Sequence, residues 1–350
     1  MRVTFVIQYQ ANNPYPVATS FLSRFFAAFS ASSHSSSVGK LILQAQLRKA
    51  HKVTQNYFQK LTNQNKQITV DNGFVLTHDG ASLETVELTP TLNKQLSEQQ
   101  KYYVIKFNGN GGMIHDLLEY SYLQEATKLN ASIVAFDYRG VNHSEKSPTC
   151  FQDLVTDGIA QVQRLLDKEV DAEKITLDGI SLGAAVATLV ASHFHKSGLK
   201  VSLINDRSFG MLTSAAAGMF APNIVGFIGD SLHGSSQSSL WSVMKPSGWE
   251  ANIIKAYESI PSEYKCYIYV TPKAPGDGVI AHRASLHEGV ITNETKTGEL
   301  TGNAVMTSRD AGHNQPRARL ISVANPELTA ENICENFVVL LRSYEVKKGY

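Results

Sequence analysis

The sequence predicts an α/β fold, with a mostly parallel central sheet covered by helices on both faces, an N-terminal helical extension and an insertion over the sheet's carboxyl edge. Three observations carry this expectation. From residue 102 onward, short β-rich runs alternate with segments of helical periodicity, the pattern of strands that cross over through helices. The strand candidates are continuous apolar runs rather than alternating ones, as strands buried on both faces require. About 60 residues separate the strand candidates that start at Val201 and Tyr267, far more than a simple crossover uses.

Residues 1–65 differ in pattern from the rest of the chain and read as the helical extension, ahead of a main domain at 66–350. Phe21, Leu22, Phe25 and Phe29 recur at helical spacing, which makes 17–29 a short amphipathic helix. Its apolar side can pack on the main domain or meet a membrane surface or a partner, and both readings stay open. The Ser-rich stretch 30–37 reads as a loop. Residues 41–61 read as a second helix, with Leu43, Leu47, Ala50 and Val53 on one side.

In the main domain, 74–77 and 83–88 suggest a hairpin around His78-Asp79-Gly80. Strands are expected at 102–107, 133–136, 175–177, 201–204, 267–270 and 304–307. Helices are expected at 117–129, 154–166 and 182–194. In 154–166, Val155, Ile159, Val162 and Leu166 are in phase. The stretch 208–262 is the insertion, read as a cap; it holds both tryptophans, Trp241 and Trp249. The alternative is an ordinary helix pair with a long loop.

Of the 350 residues, 43% are hydrophobic and 18% charged, enough for a substantial core. The net charge of +1 supplies no basic footprint for nucleic acid. Three scattered cysteines, Cys150, Cys266 and Cys334, form neither a disulfide framework nor a zinc signature. No apolar run is long enough to span a bilayer and no secretory signal opens the chain, so the default expectation is a soluble, cytoplasmic protein.

The chemistry centres on Gly179-Ile180-Ser181-Leu182-Gly183. A β-branched strand precedes it and a helix of small residues succeeds it. A serine on such a tight strand-to-helix turn needs very small neighbours two positions away, which Gly179 and Gly183 supply. Ser181 then stands at a helix N-terminus, where developing negative charge is favoured. The alternative is a glycine-flanked turn with a bystander serine.

Asn108-Gly109-Asn110-Gly111-Gly112 comes directly after the strand at 102–107. A glycine-rich loop there lets the backbone approach a ligand. It lacks the spacing of a phosphate-binding loop and reads as an oxyanion loop. Its donors would be the amides of Asn110 and of Leu182, the residue after the nucleophile. A serine needs a histidine to take its proton and a carboxylate to orient that histidine. His313 comes after the final strand candidate and is the expected base. Asp277 comes after the strand at 267–270 and is the expected acid. Asp206, one strand earlier, is the alternative, and Asp310 lies too near His313 in the chain to reach it easily. His282 and His287 precede the last strand. His193 and His195, two apart on a helix, face different sides and make poor metal ligands. No metal or organic cofactor is implied.

These residues resemble the serine hydrolases of the α/β-hydrolase fold. The loop at 108–112 is similar to their His-Gly-Asn-x-Gly loop, and the nucleophile elbow, acid loop and histidine loop come in the same order. Asp137-Tyr138-Arg139-Gly140-Val141-Asn142-His143-Ser144 is similar to their Asp-x-Arg-Gly-x-Gly-x-Ser turn. The resemblance spans roughly residues 68–320. Two positions depart from it: Asn108 replaces the loop histidine and Asn142 the second glycine of the turn. The resemblance implies cleavage of an ester, thioester or lipid acyl bond through an acyl-enzyme. Acyl transfer or peptide cleavage on the same triad, or a binding protein that kept the fold, are the alternatives. Together with the extension, the chain also resembles SidB-like hydrolases among type IV secreted bacterial effectors, which would place it inside a host cell.

Overall fold

Apolar runs that are buried on both sides become the centre of the sheet. Among the described residues the strands are β1 (Ile68–Leu76), β2 (Ser82–Pro90), β3 (Tyr103–Phe107), β4 (Ser132–Phe136), β5 (Ile175–Ile180), β6 (Ser202–Asp206), β7 (Lys265–Val270) and β8 (Asn303–Thr307). Every residue of β3, β4 and β6 is buried. The structure, a computed structural model, describes residues 43, 66–117, 121–220, 241–242, 244–270, 277, 279–280, 282–297, 303–307, 313, 316–320, 322 and 327–338. The helices expected at 17–29 and 41–61 lie outside them apart from Leu43, as do Asp310 and residues 221–240 of the expected insertion.

The strands form one sheet in the order β1-β2-β4-β3-β5-β6-β7-β8. β1 and β2 form an antiparallel hairpin, and β2 runs antiparallel to β4. From β4 to β8 all neighbours are parallel. Their carboxyl ends therefore line one edge, and the segments leaving β3, β5, β6, β7 and β8 meet there.

The helices are α1 (Ile114–Leu117), α2 (Ser121–Leu129), α3 (Phe151–Leu166), α4 (Leu182–Lys196), α5 (Leu212–Phe220), α6 (Ile253–Glu258) and α7 (Leu286–Thr297). One sheet face, with Phe107, Phe136, Leu177 and Leu203, is covered by Leu154 and Val162 of α3 and Val186 and Val190 of α4. On the other face, Val104, Ile133 and Ala135 meet Leu123, Ala126 and Leu129 of α2. Farther along, Ile204 and Ile268 meet Ala330 and Val338 of a helix at 330–338. Each large aliphatic side chain so buried stabilises the fold by about 1.5–3 kcal/mol. Among the described residues no helix is long and apolar enough to cross a membrane.

Several elements differ from the expected bounds for identifiable reasons. The hairpin strands are longer because the polar residues Asp71, Asn72 and Gly73 still pair across to β2. α3 begins three residues before its apolar phase, at Phe151, because the Asp153 carboxylate accepts from the amides of Thr149 (2.6 Å) and Cys150 (3.3 Å) and so caps the first turn. At Gly158 of α3 a Cβ would sit 2.6 Å from the Phe107 ring and 2.7 Å from Val190, so helix, sheet and α4 close tightly only over a glycine. Within the expected insertion, Trp249, Ile253 and Tyr257 are fully buried in the main core. Trp241 is half-exposed, with the Lys245 ammonium 4.2 Å from its ring centre.

Candidate active site

At the end of β5 the chain turns into α4 through Ser181, whose φ is 55° and ψ −120°. A non-glycine residue in such a conformation costs about 1–3 kcal/mol, so the surroundings must hold it. The Ser181 amide donates to the Asp206 carbonyl (2.8 Å), and its carbonyl accepts from Ala184 (3.1 Å) and Ala185 (3.2 Å). The flanking glycines meet a steric demand. A Cβ on Gly179 would lie 2.6 Å from the Ala184 backbone. One on Gly183 would lie 2.1 Å from the Phe107 carbonyl oxygen and 2.4 Å from that of Asn108. Gly183→Ala is therefore expected to lower the thermal midpoint sharply, since neither strand carbonyl can retreat; an unchanged midpoint would contradict this packing of α4 against β3.

The loop leaving β3 lies against the elbow. A Cβ built on Gly109 would be 3.7 Å from Ser181 Cβ and 3.5 Å from the Ile180 carbonyl. The loop turns tightly, with the Gly112 amide donating to the Gly109 carbonyl (3.1 Å). Asn108, in place of the histidine usual in such loops, is buried and its Nδ2 donates to the Phe136 carbonyl (3.4 Å). At the loop's exit the Ile114 amide donates to Asp137 Oδ1 (2.9 Å), so the turn after β4 anchors it. In that turn Asn142 has φ 50°, a left-handed conformation that asparagine tolerates better than other side chains. This explains how it stands in for glycine. Arg139 locks the same turn to α3, through Nε to Asp157 Oδ1 (2.7 Å), and to the hairpin, through Nη1 to Asp79 Oδ2 (2.7 Å). The Leu182 amide belongs to the first turn of α4, where amides lack intrahelical acceptors. Asn110 and Gly111 sit in the turn of the loop.

Asp277 and His313 are brought together from the ends of β7 and β8. His313 Nδ1 lies 2.8 Å from both carboxylate oxygens of Asp277. The His313 amide also donates to the Asp277 carbonyl (2.8 Å). Asp277 Oδ1 accepts from the amides of Val279 (3.1 Å) and Ile280 (2.7 Å). A carboxylate only accepts, so Nδ1 carries the proton and Nε2 is left as an acceptor. Both side chains are nearly buried, at 7% and 10% exposure.

A family model described as the alpha/beta hydrolase fold matches residues 103–224, from β3 through α5. Among solved structures, the chain is similar to a hyperthermophilic esterase from the archaeon Pyrobaculum calidifontis. That match has a TM-score of 0.50 and 16% identity over 95% of this chain and 99% of that one. It is similar to a fungal esterase from Rhizomucor miehei with a TM-score of 0.50 and 15% identity over 96% and 100%. It is also similar to an alpha-beta hydrolase from Vibrio vulnificus, with a TM-score of 0.50 and 16% identity over 86% and 89%. The chain has the α/β-hydrolase fold.

In this α/β-hydrolase fold Asp206, the alternative acid, is engaged elsewhere. Its carboxylate accepts from Arg207 Nε (2.7 Å) and Arg317 Nε (2.8 Å). Arg317 also forks onto Asp178 of β5, with Nη1 at 2.8 Å from Oδ2. Lys106 of β3 reaches Asp178 and Glu125, each at 2.6 Å. This ionic network ties β3, β5 and β6 to α2 and to Arg317. Burial pushes the Asp178 and Asp206 carboxyls up, but the adjoining cations outweigh it and hold both below the usual range. No local motif marks Lys106, Asp178 or Arg317 as a group. Their only signal in the sequence is a charge inside each of two otherwise apolar strands. Among the described residues, Glu84, His115 and His143 form a group with metal-ligand spacing.

Proposed function

We propose that this chain is a serine hydrolase that cleaves a carboxylic ester, thioester or lipid acyl bond through an acyl-enzyme. The observation that carries the reading is the Asp277-His313 hydrogen bond, formed at the sheet edge where Ser181 stands strained at the elbow. His313 Nε2 takes the Ser181 hydroxyl proton as Oγ attacks the acyl carbon. The amides of Leu182 and Asn110 hold the resulting oxyanion. The tetrahedral species collapses, the bond to the leaving oxygen or sulfur breaks, and His313 returns the proton to it. Water then attacks the acyl-serine by the same route, releasing the acid and free Ser181. Asp277 does not exchange the proton; it fixes the His313 tautomer and faces the imidazolium that forms. Every step uses side chains and amides of this chain.

Two of the similar structures are esterases, so esters come first among bonds to test. With p-nitrophenyl acetate, a burst of p-nitrophenol matching the enzyme concentration supports the acyl-enzyme. Release no faster than in buffer, from folded protein, sinks it. Series of acyl esters and of thioesters then separate short-chain esterase, lipase-like and thioesterase activity by kcat/KM.

A further inference from the structure

Three side chains far apart in the chain meet beside the loop that leaves β3. Glu84 lies on β2, His115 on α1 directly after the loop, and His143 in the turn after β4. His143 Nδ1 is 3.0 Å from Glu84 Oε2, and His115 Nε2 is 3.7 Å from Glu84 Oε1. One donor atom from each residue falls within 4.8 Å of the other two. None of the three has a part in the acyl chemistry proposed above.

Two imidazoles and one carboxylate suit zinc and neighbouring divalent transition metals. Bonds of about 2.0–2.2 Å to a tetrahedral ion place its ligands roughly 3.3 Å apart. The Glu84-His143 and Glu84-His115 contacts, made through different carboxylate oxygens, lie either side of that value, and a single donor from each residue lies within 4.8 Å of the others. Glu84 and His115 are buried, with side-chain exposures of 9% and 4%, whereas His143 is 38% exposed. The group thus has a buried floor and one exposed side, which gives an entry path. Asn142 Nδ2 donates to Glu84 Oε2, and the Glu84 amide donates to Ser144 Oγ (2.8 Å). The turn therefore orients the carboxylate in the way supporting residues orient ligands around metal sites.

We propose that Glu84, His115 and His143 bind one divalent transition-metal ion of the zinc class. The ion joins β2, the exit of the loop at 108–113 and the turn after β4, and so acts as a structural clamp on that loop. This site stands independently of the hydrolase reading.

The test is competition for Zn²⁺ between a chromophoric chelator and the metal-stripped full-length protein, with thermal unfolding alongside. The expected result is one tight equivalent and a rise in Tm on adding Zn²⁺. His143→Asn, at an exposed position, is expected to stay folded, to bind at least about 10-fold more weakly and to lose the Tm rise. Glu84→Gln is expected to weaken binding likewise, and His193→Asn to leave it unchanged. The proposal is overturned if the wild type takes up no tight equivalent, if folded His143→Asn binds as the wild type does, or if His193→Asn abolishes binding.

Discussion

Asp277→Asn is expected to lower kcat by roughly 10⁴-fold while leaving the fold intact. The reason lies in how the carboxylate is held. Oδ1 accepts from the Val279 and Ile280 amides, and both carboxylate oxygens face His313 Nδ1 at 2.8 Å. An asparagine keeps its carbonyl on the two amides, so its NH₂ group takes the place of Oδ2. That group donates and cannot accept a proton from Nδ1. With an NH₂ facing Nδ1 in place of one of its two acceptors, the tautomer protonated at Nε2 is favoured, and that form cannot receive the proton proposed to come from Ser181. Because the substitution is isosteric and both amides stay paired, Tm is expected to change little. The check is kcat on an activated ester together with thermal unfolding. A folded variant with near-wild-type kcat would remove Asp277 from the proposed triad.

Arg317→Met is expected to produce the largest loss of stability. Arg317 contacts both Asp178 and Asp206, whose side chains are only 3% and 1% exposed. Removing one partner of a buried ion pair costs about 3–5 kcal/mol, because the remaining charge is left without compensation. Lys106 and Arg207 still face the two carboxylates, which keeps the loss within that range. The direction of the pKa shifts sets the pH dependence. Both carboxyls are depressed in the folded wild type. Their contribution is therefore fully present above the unfolded value of about 4 and is lost as pH falls below it. In Arg317→Met the two carboxyls move upward, so the penalty is greatest at neutral pH and shrinks as they protonate. Urea unfolding of both proteins at neutral and acidic pH measures this. Equal stability at neutral pH, or a difference that persists unchanged in acid, would contradict the placement of the network. Asp206 also supplies the carbonyl that holds the Ser181 amide, so damage here is expected to reach the elbow.

The centre of the fold was legible because its signals are local. β3 through β6 are apolar runs, and α4 starts where the Gly-x-Ser-x-Gly turn ends. Asp277 and His313, expected as acid and base because loops after parallel strands open onto one edge, do meet in the fold. What escaped reading depends on contacts between distant segments. Lys106 and Asp178 are 72 positions apart, and Asp178 and Arg317 are 139 apart, so each looked like an isolated charge. Glu84, His115 and His143 show no ligand spacing in sequence because β2, α1 and the turn after β4 converge only in the folded sheet. The burial of Trp249 among residues of the sheet could not be read from the chain length between strands. The helix at 330–338 covers Ile204 and Ile268, yet it lies beyond the last recognised motif and so drew no expectation.

The central claim is that Ser181 is the nucleophile of an acyl-transferring site, and active-site labelling tests it most directly. A fluorophosphonate probe should modify the folded protein at one site, mapped by peptide mass spectrometry to Ser181. Labelling should vanish in Ser181→Ala and slow markedly in Asp277→Asn. A well-folded protein that takes up no label, or that is labelled equally in Ser181→Ala, would contradict the account.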